Sequence, residues 1–407
     1  MIPKLRQLRA LLAVAQAGRV AKAATALNVS QPAVTRAIQS LEKEIGVPMF
    51  ERTRERMVPT RLGILVVDRA ERAFDHLTAA ENEMRRQSRS SGQSVSATLL
   101  TRFVTNHELN AVITIGDAHS VTSAAAMLGV SQPAVNRSLR NIEQRLNVRL
   151  FDRTSRGMLP TDSGEILIRR AKLAFLEIRQ AMEEIANLSG DAQGRIAIGA
   201  LPLPRTYLIP TAVSHFLDDF PNATVSIFDG VYEKLLVDLC SGDLDMILGT
   251  IREPAPVEGV TSEAFFEDGM IVAARSDHPL FEKEALSFED LRDARWVMPH
   301  EGVPLRRQFE DQLKEHGIPV PEHVIETGST VVIRTLLMDS DRLAIVSENQ
   351  IYEAKSQGLL AALPLPLSVQ RRRIGAVTRT DYVPTPAVNT LMKHLRDVGA
   401  EIAKFNT

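Results

Sequence analysis

Apolar residues near the start of the chain fall at helical spacing. Leu8, Leu11, Leu12 and Ala15 recur every three or four positions, which predicts a helix to about Ala17 that stops at Gly18. Residues 20–27 form a short Ala-rich helix, and Asn28-Val29 a turn, since Asn tolerates the left-handed backbone of a tight turn. Ser30 is placed to cap a third helix, with Pro32 in the first turn, where no amide proton is needed. Val34, Ile38 and Leu41 give that helix one buried stripe. Helix, tight turn and second helix on small packing residues make a helix-turn-helix. Apolar runs at 47–50 and 57–60 flank a charged tip at 51–56 and predict a β-hairpin wing. Thr60 then caps a long helix to about Glu83, apolar along Leu62, Leu65, Val66, Ala70, Ala73, Phe74 and Leu77.

The pattern occurs twice. Sliding residues 8–63 onto 109–164 without a gap matches about 23 of 56 positions, which marks an internal repeat. Ser30-Gln31-Pro32-Ala33-Val34 returns as Ser131-Gln132-Pro133-Ala134-Val135. Arg36, Glu42, Arg52, Thr53, Thr60 and Gly63 return as Arg137, Glu143, Arg153, Thr154, Thr161 and Gly164. The second copy predicts helices at 109–115, 121–128 and 132–146, a wing at 148–159 and a long helix at about 162–188.

The repeated third helix carries chemistry beside its buried stripe. Gln31, Thr35 and Gln39 in one copy, and Gln132, Asn136 and Arg140 in the other, are suited to donors and acceptors on base edges in a major groove. The helix starts Ser30, Pro32, Ser131 and Pro133 belong to the same surface. Arg36 and Arg137 lie further round, where a phosphate contact is expected. Arg52, Arg54 and Arg56, with Arg153 and Arg156, sit on the wings and suit phosphates or a minor groove. Any one of these arginines reads equally as a solvated charge. Their recurrence in two copies favours duplex DNA.

These residues resemble the LysR-type transcriptional regulators. The first copy reads Ser30-Gln31-Pro32-Ala33-Val34-Thr35-Arg36, Leu41-Glu42, Met49-Phe50-Glu51-Arg52 and Pro59-Thr60-Arg61-Leu62-Gly63. The second reads Ser131 through Arg137, Ile142-Glu143, Leu150-Phe151-Asp152-Arg153 and Pro160-Thr161-Asp162-Ser163-Gly164. Both depart from the family in having Pro before the Thr, and Asn136 stands where the family has Ser or Thr. The larger departure is the duplication, because the usual member has one such module. The resemblance implies that such helices pair antiparallel between subunits, and the matched apolar stripes of the two long helices predict that they pair with each other, within one chain or between chains. It also implies a homo-oligomer, dimer or tetramer, and contact with RNA polymerase at a promoter.

From Arg195 onward the pattern changes to strands alternating with helices, which predicts a parallel α/β sheet. Two isolated apolar strands, 270–274 and 374–378, bracket a second α/β unit, and the chain then returns to the first and ends in a helix. Two lobes joined by two crossings describe a hinged binding protein. This matches the effector domain of the same family, similar to type 2 periplasmic binding proteins. The runs Gly199–Arg205 and Phe228–Glu233 resemble the subgroup named for a galactose-binding-protein regulator, which implies a sugar-like effector. A small carboxylate is the other reading. Ligands of such folds meet loops and helix starts at the carboxyl ends of strands. The candidates there are Leu201, Pro202, Asp229, Thr250, His300, Arg306, Ser329 and Thr330.

Net charge is −2 over 407 residues, but it is unevenly divided. Residues 1–193 carry about eight more Lys and Arg than Asp and Glu, and the remainder about ten fewer. A basic half fits a polyanion partner. The single cysteine, Cys240, excludes an internal disulfide framework and suits a cytoplasmic location. Lys4 to Ala17 mimics a signal peptide, but the same segment recurs mid-chain, so it reads as the first helix. No apolar run approaches membrane-spanning length. No phosphate loop, nucleophile elbow or Cys/His metal spacing occurs, so no enzyme, cofactor or metal is expected. Gly242-Asp243-Leu244-Asp245 reads as a turn before a buried strand.

The expected architecture is an α+β multi-domain chain. Winged helix-turn-helix modules occupy 1–60 and 104–161, linker helices 61–84 and 162–190, and a polar linker 85–103. An effector domain occupies 194–407, with one lobe at about 194–274 and 374–407 and the other at about 275–373. The expected function is a DNA-binding regulator that answers a small molecule held between the lobes. The competing reading is a ligand-independent architectural or repressor DNA-binding protein, which a filled cleft would exclude.

Overall fold

The helix stops fall where the backbone turns left-handed. In the computed structural model, α1 (Leu5–Ala17) ends at Gly18, α2 (Val20–Leu27) at Asn28 and α3 (Gln31–Ile45) at Gly46, with φ of 66°, 56° and 86°. The structure describes residues 2–53, 56–90, 100–188, 194–368 and 371–405. The chain forms two units that divide near residue 193.

In the first unit a wing of β1 (Phe50–Arg52) and β2 (Met57–Pro59) follows α3, and α4 (Arg61–Ser90) follows the wing. A short α5 (Leu100–Phe103) leads into the second copy: α6 (Asn106–Ala118), α7 (Val121–Leu128), α8 (Gln132–Leu146), β3 (Phe151–Thr154), β4 (Gly157–Pro160) and α9 (Asp162–Leu188). His119, Gly129 and Asn147 close α6, α7 and α8 with φ of 50°, 64° and 54°. The polar stretch at 85–103 is therefore helical at both ends, and residues 91–99 lie outside the described residues. Its far end is anchored because Leu100 is apolar and buried, and its amide donates to Glu81 Oε1 at 2.6 Å.

Repeated polar residues hold each wing to its helices. Glu42 Oε1 accepts the Met49 amide at 2.9 Å, and Glu143 Oε1 accepts that of Leu150 at 2.8 Å. Thr60 Oγ1 accepts the Gly63 amide at 2.9 Å and donates to the Pro48 carbonyl at 2.8 Å, and Thr161 does the same with Gly164 and Arg149. Gly63 and Gly164 permit this approach, since a Cβ at either would lie 2.0 Å from the carbonyl oxygen of Met49 or Leu150.

The long helices α4 and α9 pair antiparallel within one chain. Val66, Ala70, Ala73, Leu77, Ala80 and Met84 are buried on α4, and Leu167, Ala171, Ala174, Phe175, Ile178, Ala181 and Ile185 on α9. Between the two lies a buried cation. Arg69 is 4% exposed and donates to Glu177 at 2.8 Å, Gln180 at 2.9 Å and Glu184 at 3.0 Å. Further along, Arg170 donates to Glu83 at 2.8 Å, and Arg169 to the same carboxylate at 2.6 Å. One hydrophobic core runs continuously through both copies and this pair.

The second unit holds two five-stranded sheets. The first contains β5 (Arg195–Ala200), β6 (Thr224–Asp229), β7 (Met246–Thr250), β8 (Val260–Asp268) and β14 (Arg372–Arg379) in the order β6-β5-β7-β14-β8. It is covered by α10 (Leu208–Asp219), α11 (Tyr232–Ser241) and α15 (Pro386–Phe405). The second contains β9 (Met270–Arg275), β10 (Arg295–Met298), β11 (Val324–Glu326), β12 (Arg342–Ser347) and β13 (Leu360–Ala362) in the order β11-β10-β12-β9-β13, with α12 (Pro304–Glu315), α13 (Thr330–Met338) and α14 (Tyr352–Ser356).

Two expectations change here. The sheets are mixed rather than parallel: β5 is parallel to β6 and β7, but β14 runs antiparallel to β7 because it re-enters from the other lobe. The strand β9 belongs to the second sheet, antiparallel to β12 and β13, so the first crossing falls at Gly269. An apolar strand beside a crossing fits either sheet until its partners are known. Asp245 accepts the Ala197 amide and the Tyr382 hydroxyl at 2.8 and 2.9 Å, so this acid of the Gly242–Asp245 turn is a structural anchor. Among the described residues no helix is long and apolar enough to cross a membrane.

Arg69→Met would leave Glu177 buried without its cation and should destabilise the first unit by about 3–5 kcal/mol. Arg170→Met, at a more exposed pair, should lower stability by about 1 kcal/mol or less. Denaturant titrations followed by far-UV circular dichroism compare the two. Equal midpoint shifts would contradict the assignment of the buried cation.

Candidate functional site

Each third helix buries one side and leaves the rest to solvent. Val34, Ile38 and Leu41 on α3, and Val135, Leu139 and Ile142 on α8, are buried. Gln31 and Gln39, and in the second copy Gln132 and Arg140, are exposed, with Thr35 and Asn136 half-buried between them. Ser30 and Ser131 occupy the N-cap positions in extended backbone, but neither hydroxyl makes the expected capping bond, and both are exposed. Pro32 and Pro133 stand exposed in the first turns. The start of each helix thus offers the positive end of its dipole and an uncommitted hydroxyl, which together suit a phosphate.

The arginines divide into two classes. Arg69, Arg145, Arg169 and Arg170 are held by carboxylates of the protein. Arg9 donates to the carbonyls of Leu100 and Val104, and burial pushes its guanidinium down to about 10. Arg36, Arg56, Arg137, Arg140, Arg153 and Arg156 are exposed and have no acidic partner among the described residues. These six lie on the third helices or the wings, while Arg6, Arg61, Arg72 and Arg102, also exposed and without an acidic partner among the described residues, lie on α1, α4 and α5. The side chain of Arg52 and the whole of Arg54 lie outside the described residues.

The wings repeat each other in register, Phe50 opposite Pro59 and Phe151 opposite Pro160. Thr53 and Thr154 close the wing turns. Thr53 Oγ1 accepts the Arg56 amide, and Thr154 Oγ1 that of Arg156, both at 3.1 Å. The tips are therefore shaped by a side-chain turn that leaves the arginines outward. One feature escaped the motif reading: Arg6 and Arg102 join Arg36 around a hollow of about 570 Å³ floored by Ala10, Ala33 and Ala37. They come from α1 and α5, so only the packing of α5 assembles them.

In the second unit the candidate ligand residues lie at strand ends. Leu201 and Pro202 follow β5, and the Leu201 amide donates to the Leu248 carbonyl at 3.0 Å. Asp229 ends β6 and pairs with Arg205 at 2.9 Å, and Thr250 ends β7. Ser329 is the N-cap of α13, exposed and without a side-chain capping bond, and Thr330 begins the helix. The turn at 348–351 touches both the turn at 203–205 and α13, which brings the loop after β5 and that helix to one region. His300 follows β10, mostly exposed, 3.7 Å from Glu326.

Arg306 is a correction. It was expected to face a ligand because it opens α12 beside a strand end. Instead it is buried, bonded to Glu310 at 2.7 Å, to the Pro299 carbonyl at 3.1 Å and to Glu326. Its guanidinium holds the Glu326 carboxyl below the usual carboxylate range. Glu310 one turn along and Glu326 on the neighbouring strand take the cation before any ligand.

Contacts between the lobes also went unread in the sequence. Thr206 donates to the Asn349 carbonyl at 3.0 Å, and the rings of Tyr207 and Tyr352 lie 4.1 Å apart. Behind them Asp268, fully buried at the first crossing, accepts Ser347 Oγ at 2.5 Å and Asn349 Nδ2 at 2.7 Å and pairs with Arg372 at 3.1 Å. One carboxylate thus joins the two crossings to the residue that meets the loop after β5. No local motif announces it, because its partners come from distant parts of the chain.

Comparison with known proteins gives matches along the chain. The LysR substrate binding domain matches residues 189–400. The bacterial regulatory helix-turn-helix protein, lysR family, matches twice, at 5–64 and 107–165. The HTH-type transcriptional regulator GalR of Pseudomonas putida is 32% identical over 402 residues, 99% of each chain, so the match includes both helix-turn-helix segments. PcaQ of Agrobacterium fabrum is 30% identical over 294 residues, 72% of this chain and 94% of that one. Among solved structures, a full-length OxyR variant from Pseudomonas aeruginosa superposes with a TM-score of 0.53 at 22% identity, over 71% of this chain and 94% of that chain, a likeness of fold.

Asp268→Ala removes the acceptor shared by Ser347, Asn349 and Arg372 and should destabilise the second unit by about 3 kcal/mol. The fluorescence of Trp296, the chain's one tryptophan and buried in the second lobe, follows that unfolding. An unchanged denaturation midpoint would show that the crossings do not depend on this carboxylate.

Proposed function

The chain belongs to the lysR family of bacterial regulatory helix-turn-helix proteins, and we propose that both of its modules read one operator under the control of a small molecule bound between its C-terminal lobes. Members of this family are transcriptional regulators rather than enzymes. They carry a DNA-binding and a substrate-binding part, and both are present here.

The observation that carries the reading is the division of the arginines. Cations needed for folding are bonded to carboxylates or carbonyls, whereas Arg36, Arg137, Arg140 and the wing arginines are exposed and without an acidic partner among the described residues. Arg36 and Arg137 keep that state at matched sites of the two copies, which a solvated face with no partner in view does not require. Arg36 and Arg137 would hold phosphates, and the stripes Gln31, Thr35, Gln39 and Gln132, Asn136, Arg140 would meet base edges. The stripes differ, so the half-sites should be related but unequal. Contact with RNA polymerase would follow at the promoter.

The effector would lie among Leu201, Pro202, Asp229, Thr250, Ser329 and Thr330, with His300 at the margin. Free amides at the start of α13, the Ser329 hydroxyl and Thr330 suit a hydroxylated or carboxylated small molecule, sugar-like or a small acid.

Binding-site selection tests the DNA reading. Arg140→Gln should relax a guanine preference at one position, worth about 1–3 kcal/mol. Arg137→Ala should weaken all sequences nearly equally and reduce the salt slope by about one unit. A symmetric consensus unmoved by Arg140→Gln would mean that the second module does not read bases.

For the effector, Thr330→Ala and His300→Ala should lose the transcriptional response while DNA binding survives, because a ligand shifts a hinged domain only through differential affinity for its two states. Full response in both variants would put the ligand elsewhere.

A further inference from the structure

The two copies exchange contacts across the helix pair reciprocally. Arg170 is the counterpart of Arg69 in the repeat, and Glu184 the counterpart of Glu83. Arg69 bonds to Glu184, and Arg170 bonds to Glu83. When residue i of one copy meets residue j of the other, and j of the first meets i of the second, the copies are related by a twofold axis. The same symmetry places Arg170 near His76, at 3.5 Å, where Arg69 meets that residue's counterpart, Glu177. A residue that touches its own counterpart lies on the axis. Leu5 and Asn106 are such a pair, with the Leu5 amide donating to Asn106 Oδ1 at 2.8 Å. The axis therefore runs between the starts of α1 and α6 and through the middle of the α4–α9 pair.

We infer that a single chain is the complete dyad-reading unit: one chain grips two inverted, unlike half-sites of duplex DNA, and one ligand domain governs both. This rests on the reading of both modules as DNA readers. The helix face that would pair two chains is already covered from within, by the buried stripes of α4 and α9 and by Arg69. Joining the helices in one chain raises their effective concentration to about the millimolar range, so internal pairing outcompetes exchange with a second copy at ordinary concentrations. The twofold relation requires half-sites in inverted orientation. The unlike stripes, with Arg140 in place of Gln39, give the complex a direction on DNA that a pair of identical modules lacks.

Two measurements test this in the full chain. The first uses Gln87→Cys and Asp162→Cys, whose native side chains meet across the helix pair at 2.8 Å, in a Cys240→Ser background, joined with a bismaleimide. The expected product has the mass of one chain, protects both half-sites of the selected operator and binds within about twofold of the unlinked chain. A product of two-chain mass, or a one-chain product that protects a single half-site, overturns the inference. The second leaves the helix pair untouched. Ser155→Cys, on the second wing, carries an iron chelate in the Cys240→Ser background. Cleavage confined to one half-site supports the inference, and cleavage at both half-sites overturns it. Failure of the unmodified chain to bind any selected DNA overturns the underlying reading as well, which separates the two failures.

Discussion

The buried guanidinium of Arg69 is the contact on which the first unit depends. It reaches from α4 to two carboxylates and an amide oxygen on α9, in an interface whose buried side chains are otherwise mostly apolar. An apolar seam alone tolerates slippage along a helix pair. A buried cation does not, because a shift by one turn would leave charge without a partner in a medium that solvates it poorly. Register along α4 and α9 fixes where each helix begins. The starts of these helices are bonded to the wings, and the wings to the third helices through Glu42 and Glu143. The separation and orientation of the two exposed stripes thus follow from the ion cluster around Arg69 and its counterpart at Arg170 and Glu83, one on each side of the middle of the pair.

The repeat separates fold from function residue by residue. Glu42, Thr60 and Gly63 and their counterparts recur because each wing needs an acceptor, a cap and a close backbone approach. Thr53 and Thr154 recur because each wing turn closes on a hydroxyl. Arg36 and Arg137 recur with no such internal task, and their exposed guanidinium groups are what a polyanion would meet. Positions that differ between the copies, Gln39 against Arg140 and Thr35 against Asn136, lie on the outward stripe, where a change of side chain does not disturb a core.

The second unit applies a similar device to motion. Two crossings connect its sheets, and Asp268 ties both of them to Asn349, which meets Thr206 across the lobes. Each bond alone is modest, but the carboxylate is fully buried, so its donors are held together. A ligand that moved the loop after β5 would pull on a residue already bonded to the hinge.

Local pattern was sufficient for much of this molecule. Helical spacing, left-handed stops, the paired wings and the repeat itself are properties of neighbouring residues, and they locate both third helices and their exposed stripes without any long-range contact. The same holds for the two-lobed plan of the second unit, although the antiparallel course of β14 and the membership of β9 needed their partner strands. The committed state of Arg306, the Asp268 cluster and the hollow joined by Arg102 depended on side chains far apart in sequence. So did the pairing of α4 with α9 inside one chain: matched apolar stripes predict that such helices pair, but equivalent stripes fit a partner in the same chain or in another. Only the folded chain decides, because covalent connection and the buried contacts of Arg69 act on the arrangement in space, which no local spacing encodes.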